Sequence, residues 1–226
     1  MCASSRSPSE TIDSSRGRER TLPTMAENNN SPHTPALKEW AAIVHALATG
    51  EQVVDLRKGG LREDGRHFAV QSDRFYWYPT YEHQRADLVK PAYAHWVDTS
   101  EPADRSITVY AWAEVVATAE LTEPQQVEAV AGKSIWSTEY ATARLKWKSR
   151  DPLWVLLLRT YLLDTPITIP YTDAYGGCTS WVDLDGLPAD PTQVPGAPAL
   201  SDVAFEGRAR GVRDALAEVG APLIDR

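Results

Sequence analysis

The sequence predicts an α+β domain in which a partly closed β-barrel carries peripheral helices. Three observations favour this fold: candidate strands outnumber helices in the centre of the chain, helices do not alternate regularly with them, and glycine turns separate them. A chain of 226 residues is long enough for one such domain with additional tails. The candidate strands, chosen for their β-branched and aromatic residues, are 52–57, 67–71, 74–78, 106–121, 153–163 and 179–184.

Three segments contain signals for helices. Thr34 is typical of a helix N-cap, and the proline that follows it is typical of the first helical position. Together they predict a helix that ends at Gly50. Thr122 and Gln125 have the spacing of a capping box, which indicates a short helix after the long strand. A further helix is predicted over residues 137–147.

The two ends of the chain differ in composition from its centre. Residues 1–33 are rich in Ser, Arg, Glu, Asn and Pro and hold almost no large apolar side chain, so we expect a disordered N-terminal tail. Met25 within this tail is a second plausible translation start. The folded domain is expected over 34–185, a Pro-rich linker over 186–199, and a C-terminal helix packed on the domain within 200–226.

Composition excludes several classes of protein. Two cysteines are too few for a disulfide framework or a multi-Cys zinc site, and the histidines lack a ligand spacing, so we expect a cytoplasmic protein with no metal and no cofactor. The longest apolar run, 153–158, is far shorter than the roughly 20 residues of a membrane span, and residues 1–30 lack the apolar core of a secretory signal. The net charge of −8 argues against indiscriminate coating of nucleic acid. Because the acidic residues concentrate in the last third, the centre is able to hold a local basic patch.

Four motifs carry a resemblance to a known family. They are "ALKEWA" at 36–41, "RKGG" at 57–60, "YPTYEHQ" at 78–84, and the block from "RLKWK" at 144 to "LLLR" ending at 159. On these motifs residues 36–184 resemble a bacterial family known only as domain of unknown function 1802. The function of that family is not established, and a link to restriction systems has been considered for it.

A second resemblance begins at the end of the first predicted helix. Gly50, Gln52, Asp55 and Arg57 stand at the spacing of the G-x-K-x-x-E-x-R signature of ASCH domains, with Gln in place of Lys and Asp in place of Glu. ASCH domains are a branch of the PUA-like barrels, which bind RNA or modified bases, and the order of segments along the chain is also similar. The resemblance implies a PUA-like, ASCH-like barrel and RNA or modified nucleic acid as a partner.

The strand after the leading helix is expected to line a ligand cleft. Strand periodicity places Asp55 and Arg57 on one face, where Asp55 orients Arg57 and both hydrogen-bond a base edge or a phosphate, with Lys58 beside them. Gly59 and Gly60 would let a ligand approach the backbone closely. In the alternative interpretation, the charged pair is a solvated strand edge and the glycines merely turn the chain.

The "YPTYEHQ" loop supplies aromatic and ionisable groups. Tyr81 is suited to stacking on a base, and Glu82 and His83 are suited either to acid/base chemistry or to a ligand-binding loop without catalysis. Trp77, Tyr78 and Tyr81 together form a hypothetical aromatic cage for a modified base.

A basic segment at 143–150 places Lys146 and Lys148 on either side of Trp147. Cations interleaved with an aromatic residue are typical of surfaces that bind single-stranded nucleic acid. The alternative is a helix end whose cations complement the helix dipole. Arg159 is the only charge in an apolar strand, so we expect it to form an ion pair.

These observations lead to three functional hypotheses. The second is a hydrolase or nuclease-associated enzyme that acts on nucleotides or nucleic acid. Because Gln52 cannot replace the signature lysine chemically, its catalysis would fall to Asp55, Glu82 or His83. The third is a protein–protein interaction module that uses the acidic last third of the chain. The first and leading hypothesis is an RNA- or modified-base-binding module, with ligand contacts from Gln52, Asp55, Arg57, Lys58, Gly59, Gly60, Tyr81, His83, Lys146 and Lys148.

Overall fold

Eight strands and four α-helices form an α+β fold in the part of the chain that the structure describes. The structure is a computed structural model, and the predicted α+β class is confirmed by it. The described residues belong to one compact unit, residues 32–226. The tail expected over 1–33 lies, except for its last residue, outside the described residues, which are 33–58, 70–98, 100, 102–146, 153–177 and 179–226.

The elements have the following bounds. The strands are β1 (Pro35–Trp40), β2 (Val54–Lys58), β3 (Arg74–Thr80), β4 (Ile107–Leu121), β5 (Leu153–Ile169), β6 (Trp181–Asp183), β7 (Gly196–Pro198) and β8 (Ile224–Asp225). The helices are α1 (Ala41–Ala48), α2 (Pro124–Ala131), α3 (Thr138–Lys146) and α4 (Asp202–Glu218). Short 3-10 helices cover Ala86–Leu88, Pro91–Trp96, Asp173–Tyr175 and Pro191–Gln193. The strand predicted over 67–71 falls largely outside the described residues.

All eight strands belong to one sheet. Its order is β2-β5-β4-β3-β1-β6, with β7 paired to β5 and β8 paired to β4. β1 runs parallel to β3, and the other strand pairs of the described residues are antiparallel. The long β4–β5 pair shifts register at Val109/Ala111 and at Val115/Ala117, and such irregularities bend and twist the strands.

The sheet curves until its two ends approach each other without closing into a barrel. β2 stands at one end of the strand order and β1 stands near the other, with no backbone ladder between them in the described residues. Arg57 on β2 nevertheless donates to the backbone oxygen of Lys38 on β1 at 3.1 Å. The Arg57 side chain therefore spans the gap between the two strands, and the sheet is not closed into the barrel expected from the sequence.

Helices α1 and α4 bury apolar side chains against the concave core. α1 carries the chain from β1 to β2, and six of its eight residues are buried. α4 buries residues spaced three or four apart, as expected for a helix with one apolar face. None of the helices in the described residues is long and apolar enough to cross a membrane. The main core includes Leu37, Ile43, Leu47, Phe75, Trp77, Leu121, Leu156, Phe205, Val212 and Leu216.

The helix predicted to begin at Thr34 is wrong in its first part, because strand β1 occupies residues 35–40. The backbone of β1 pairs with β3 on one side and with β6 on the other, and Ala36 and Leu37 enter two different apolar clusters. These ladders and contacts outweigh a local capping signal, so tertiary pairing decides the conformation. The helix itself is confined to α1.

Two further local predictions are corrected. The capping box at the start of α2 is formed by Glu123 and Gln126, one residue later than Thr122 and Gln125. The expected linker at 186–199 contains a 3-10 helix and strand β7, which pairs with β5. This segment is thus part of the folded unit rather than a connector.

Candidate functional site

A buried cluster of three charged side chains lies where β1 and β2 approach each other. It consists of Glu39, Asp55 and Arg57, whose side chains are 9%, 0% and 7% exposed, and is called the Glu39–Arg57 cluster below. One guanidinium nitrogen of Arg57 donates to the carboxylate of Glu39 and, at 3.3 Å, to that of Asp55. A single cation therefore serves two carboxylates in a largely desolvated position.

Backbone groups hold the other oxygen of each carboxylate. Glu39 Oε1 accepts a hydrogen bond from the N–H of Trp40 at 2.6 Å, at the point where β1 ends and α1 begins. Asp55 Oδ1 accepts from the N–H of Leu56 at 2.9 Å. These contacts fix the orientation of both carboxylates, because burial leaves each oxygen dependent on a protein donor.

Burial and a neighbouring carboxylate change the protonation of Glu39. Burial and the neighbouring Asp55 raise the pKa of Glu39 to about 7, against the opposing effects of Arg57, the Trp40 N–H and Arg144. Burial alone would lower the pKa of Arg57, but the two carboxylates outweigh it and raise that pKa, so Arg57 stays charged. Near neutral pH, Glu39 is therefore able to both donate and accept a proton, which is what general acid/base chemistry requires.

Aromatic rings and a second cation stand beside the cluster. The ring centroid of Tyr140 lies 4.3 Å from that of Trp136 and 6.2 Å from that of Trp40, and the Tyr140 and Trp40 planes are 27° apart. The guanidinium of Arg144 lies 5.7 Å from the Tyr140 ring centre. Trp40, Tyr140 and Arg144 are half-buried, so their surfaces are accessible. We call these three residues the aromatic wall. The wall is close enough to the cluster for their charges to act on Tyr140: burial raises the pKa of Tyr140, Arg144 lowers it and Glu39 raises it.

A family model described as Domain of unknown function (DUF1802) matches residues 36–211. The chain belongs to this family. A comparison with curated proteins gave no match.

Solved structures similar to this DUF1802 protein are those of an ASCH protein from Zymomonas mobilis. The crystal structure of that ASCH protein has 14% sequence identity and a TM-score of 0.42, and the alignment covers 69% of this chain and 90% of the other. Two single-substitution mutants of the same protein give TM-scores of 0.42 and 0.41, with 14% and 13% identity. Their alignments cover 69% and 67% of this chain and 92% and 90% of theirs.

The predicted ligand residues on and before β2 are almost completely buried. The Asp55–Arg57 contact expected from the sequence is present, at 3.3 Å. Lys58 is 5% exposed and donates to the backbone oxygen of Leu145 at 2.8 Å, near the end of α3. The strand therefore anchors α3 through a cation at a helix carboxyl end, a favourable position for positive charge.

Gln52 has a structural position rather than an open one. It is 1% exposed; its amide nitrogen donates to Val54 O at 2.9 Å, and its amide oxygen accepts from Ile135 N at 2.8 Å. Both ends of the amide are thus used to tie β2 to the turn between α2 and α3. Lys146 lies on the exposed side of α3, whereas Gly59, Gly60 and Lys148 lie outside the described residues.

The Tyr81–His83 loop faces a different surface from the Glu39–Arg57 cluster. Tyr81 and Glu82 line a shallow cavity of about 90 Å³ with Lys38, Tyr78, Arg105 and Tyr171, and Arg57 is not among its lining residues. Adjacent residues of a strand point to opposite faces, so Glu39 meets Arg57 while the Lys38 ammonium reaches Gly176 O at 3.4 Å and Gly177 O at 3.3 Å. The expectation of one shared concave surface is therefore wrong, because β1 separates the two segments.

Two details of that loop qualify its predicted roles. His83 is exposed and has φ of 61°, so its backbone makes a tight turn. Trp77 is 0% exposed in the main core, which removes it from the hypothetical aromatic cage, and Tyr78 is only 6% exposed.

Arg159 pairs with Asp202 of α4, and the expected ion pair is present.

Glu39 is the residue that sequence reasoning missed. In a helix beginning at Thr34, Glu39 falls on the polar face, where a glutamate gives no sign of a buried or functional position. In the observed strand it follows Leu37 on the same face, directed toward the main core. A carboxylate in line with core residues would have signalled a buried charge in need of a partner, had the strand been recognised.

Proposed function

We propose that this DUF1802 protein binds nucleic acid, either RNA or nucleic acid carrying a modified base, at the aromatic wall beside the Glu39–Arg57 cluster. The observation that carries the proposal is the pairing of half-buried Trp40 and Tyr140 rings with a buried carboxyl–guanidinium pair. Aromatic rings stack on bases of any sequence, and adjacent cations neutralise the phosphate backbone.

The chemistry of the cluster supports recognition of a base edge. A carboxylate accepts hydrogen bonds from exocyclic amino groups, and a protonated carboxyl donates to ring nitrogens or carbonyl oxygens. With its pKa at about 7, Glu39 has both forms available near neutral pH. Arg144 would then contact a phosphate beside the base, and Lys146, which lies two residues further along α3 and points to another side of the helix, would contact a phosphate elsewhere on the nucleic acid.

The tyrosine-lined cavity on the other face of β1 supplies a second contact area in this proposal. Arg105 lies 3.7 Å over the Tyr171 ring, and Lys38 lies 5.6 Å from the Tyr78 ring centre. Tyr81 lines this cavity and His83 follows two residues later on an exposed turn, and both would contact the nucleic acid after it passes the end of β1. The roles of these two residues are therefore retained, but at a separate surface.

The test is fluorescence anisotropy with labelled pools of single-stranded RNA and of DNA carrying modified bases. Charge reversal at Arg57 would add a third carboxylate to a buried cluster, so the exposed Lys146→Glu variant is used instead, with Arg210→Glu on exposed α4 as a matched control. We expect Lys146→Glu to weaken binding about tenfold and to lower the slope of log K against log salt by about 1, with Arg210→Glu unchanged. Absence of binding by the native protein, or equal losses in both variants, overturns the proposal.

A hydrolase or nuclease-associated activity on nucleotides is a second candidate, favoured by the position of Glu39. A buried carboxyl that titrates at about pH 7 beside a fixed cation is suited to proton transfer, and Asp55 would hold Arg57 in place. Turnover of acylated nucleosides, and of single- and double-stranded DNA with Mg²⁺, tests this candidate. The expected result is loss of turnover in Glu39→Gln with binding retained; loss in His83→Ala or Glu82→Gln alone would transfer the activity to the loop.

A further inference from the structure

A second cavity, of about 330 Å³, lies away from the Glu39–Arg57 cluster. It opens to solvent and is bordered by α4, by the turn between α2 and α3, by the start of the Pro91–Trp96 3-10 helix, and by the residues just before β2. Its volume is within the range of small-molecule binding sites. The cavity is distinct from the surface assigned to nucleic acid above.

Three glycines are among the residues that line this cavity. Gly207 and Gly211 are one helical turn apart in α4, and Gly132 follows α2. A glycine inside a helix is less stable than alanine by up to about 1 kcal/mol. No neighbouring atom lies within 4 Å of where a Cβ of Gly207 would stand, so close packing does not explain that residue. What the glycines provide is open space.

Three cations border this space, against one carboxylate. Lys90 is held by its own contacts, since its ammonium donates to Ala131 O at 2.8 Å and to Ser134 O at 2.5 Å. Arg208 donates to the backbone oxygen of Glu51 at 2.6 Å through one nitrogen, which leaves its other N–H groups available. Lys133 and Arg208 form no ion pair with any residue that the structure describes.

The carboxylate of Glu51 accepts a hydrogen bond from the Tyr93 hydroxyl and offsets one of the three positive charges. The lining therefore carries a local excess of two positive charges in a chain with a net charge of −8. Burial lowers the pKa of Lys90, against the opposing effect of Glu51. An anion in the cavity would restore the charge balance.

We propose that this cavity binds a small phosphomonoester. A phosphate monoester carries about −1.5 to −2 charges at neutral pH, which matches the excess of two. Arg208 is suited to bidentate contact with its oxygens and Lys133 to a point-charge contact. The Glu51 carboxylate and the Tyr93 and Ser134 hydroxyls would contact the polar remainder of the ligand, such as the hydroxyl groups of a sugar.

Isothermal titration calorimetry of the full chain with adenosine monophosphate, ribose 5-phosphate and inorganic phosphate tests the proposal, with sulfate as the comparison anion. We expect saturable binding of at least one phosphomonoester, weakened about tenfold in Lys133→Gln and in Arg208→Gln. Arg210→Gln, an exposed cation of the same helix outside the cavity, is the matched control and should bind as the native protein does.

Gly207→Leu provides a variant that fills the cavity without removing charge. Leucine is a better helix former than glycine, so the thermal midpoint should not fall while binding is lost. Lys146→Glu should retain phosphomonoester binding, which separates this site from the proposed nucleic-acid surface. No saturable binding up to about 10 mM, equal affinity for sulfate, or equal losses in Arg210→Gln and Arg208→Gln overturns the proposal.

Discussion

Arg57 and Glu39 form an ion pair between strands that are separated by three others in the order of the sheet. No backbone ladder joins β2 and β1 in the described residues. Because the joint is made by side chains, its strength depends on their charges. A sheet closed by a ladder would not have this dependence.

Replacing Arg57 by methionine tests the contribution of the cation. The Arg57→Met variant keeps most of the side-chain volume but leaves two carboxylates, 0% and 9% exposed, without their shared partner. We expect the free energy of unfolding to fall by about 3–5 kcal/mol, measured by urea denaturation, because an uncompensated buried charge is costly.

The matched control is Arg74→Met. Arg74 forms an ion pair with Glu114 at 2.9 Å, but the two side chains are 49% and 32% exposed. Surface pairs of this kind contribute about 0–1 kcal/mol. Similar losses in the two variants would contradict the assignment of a special role to the buried cation.

The pH dependence of stability should contain a contribution from Glu39. Its pKa rises from 4.5 in the unfolded chain to about 7 in the folded protein, so between these values the folded protein binds more protons. The stabilisation is full below pH 4.5 and is lost as the pH rises through 7. Relative to Glu39→Gln, the native protein should therefore lose up to about 3 kcal/mol between pH 4.5 and pH 8.

Urea denaturation of both proteins across this range measures the difference directly. Subtracting the two curves cancels the titration of the other carboxyl groups and of the histidines. A difference that stays constant with pH, or that changes in the opposite direction, would show that Glu39 titrates normally in the folded state.

Placing a lysine at position 52 should destabilise the protein. In Gln52→Lys the Ile135 N–H loses its acceptor, and an ammonium enters a position that is 1% exposed. We expect a loss of about 2–4 kcal/mol in the free energy of unfolding. Gln125→Lys, at an exposed position of α2, should change it by less than about 0.5 kcal/mol. A stable Gln52→Lys protein would indicate that the site opens to solvent.

Substitution of two glycines that have the same φ distinguishes backbone strain from steric crowding. Gly50 and Gly220 both have φ of +72°, which is unfavourable for alanine. A Cβ at Gly50 would stand 2.4 Å from Leu200 Cδ2, whereas no atom lies within 4 Å of one at Gly220. We expect Gly220→Ala to cost about 1 kcal/mol and Gly50→Ala about 2–3 kcal/mol, from thermal unfolding. Equal costs would mean that Leu200 moves aside freely.

Elements with a continuous local pattern could be predicted from the sequence. The strand predicted over 106–121 is observed as Ile107–Leu121, and the helix predicted over 137–147 is observed as Thr138–Lys146. In both, side-chain preferences and the period of the apolar residues favour the same conformation as the tertiary contacts.

The position of the candidate site could not be predicted, because it depends on which strands approach one another in space. β1 combines a helix-start signal with a position between β3 and β6, and only the second of these decides its conformation. Glu39 and the separation of Arg57 from Tyr81 both follow from that strand. No local sequence pattern in these strands indicates the parallel β1–β3 register or the curvature of the sheet.

The place of β1 between β3 and β6 also affects how the protein is made. Residues 35–40 leave the ribosome before both of their partner strands, and residues 181–183 of β6 are the later of the two partners to be synthesised. Until then β1 exposes one row of backbone donors and acceptors, which is the kind of edge that recruits other chains. A shortened version for expression should therefore retain residue 183, because removing β6 would turn β1 into an exposed edge strand that is able to pair with other chains.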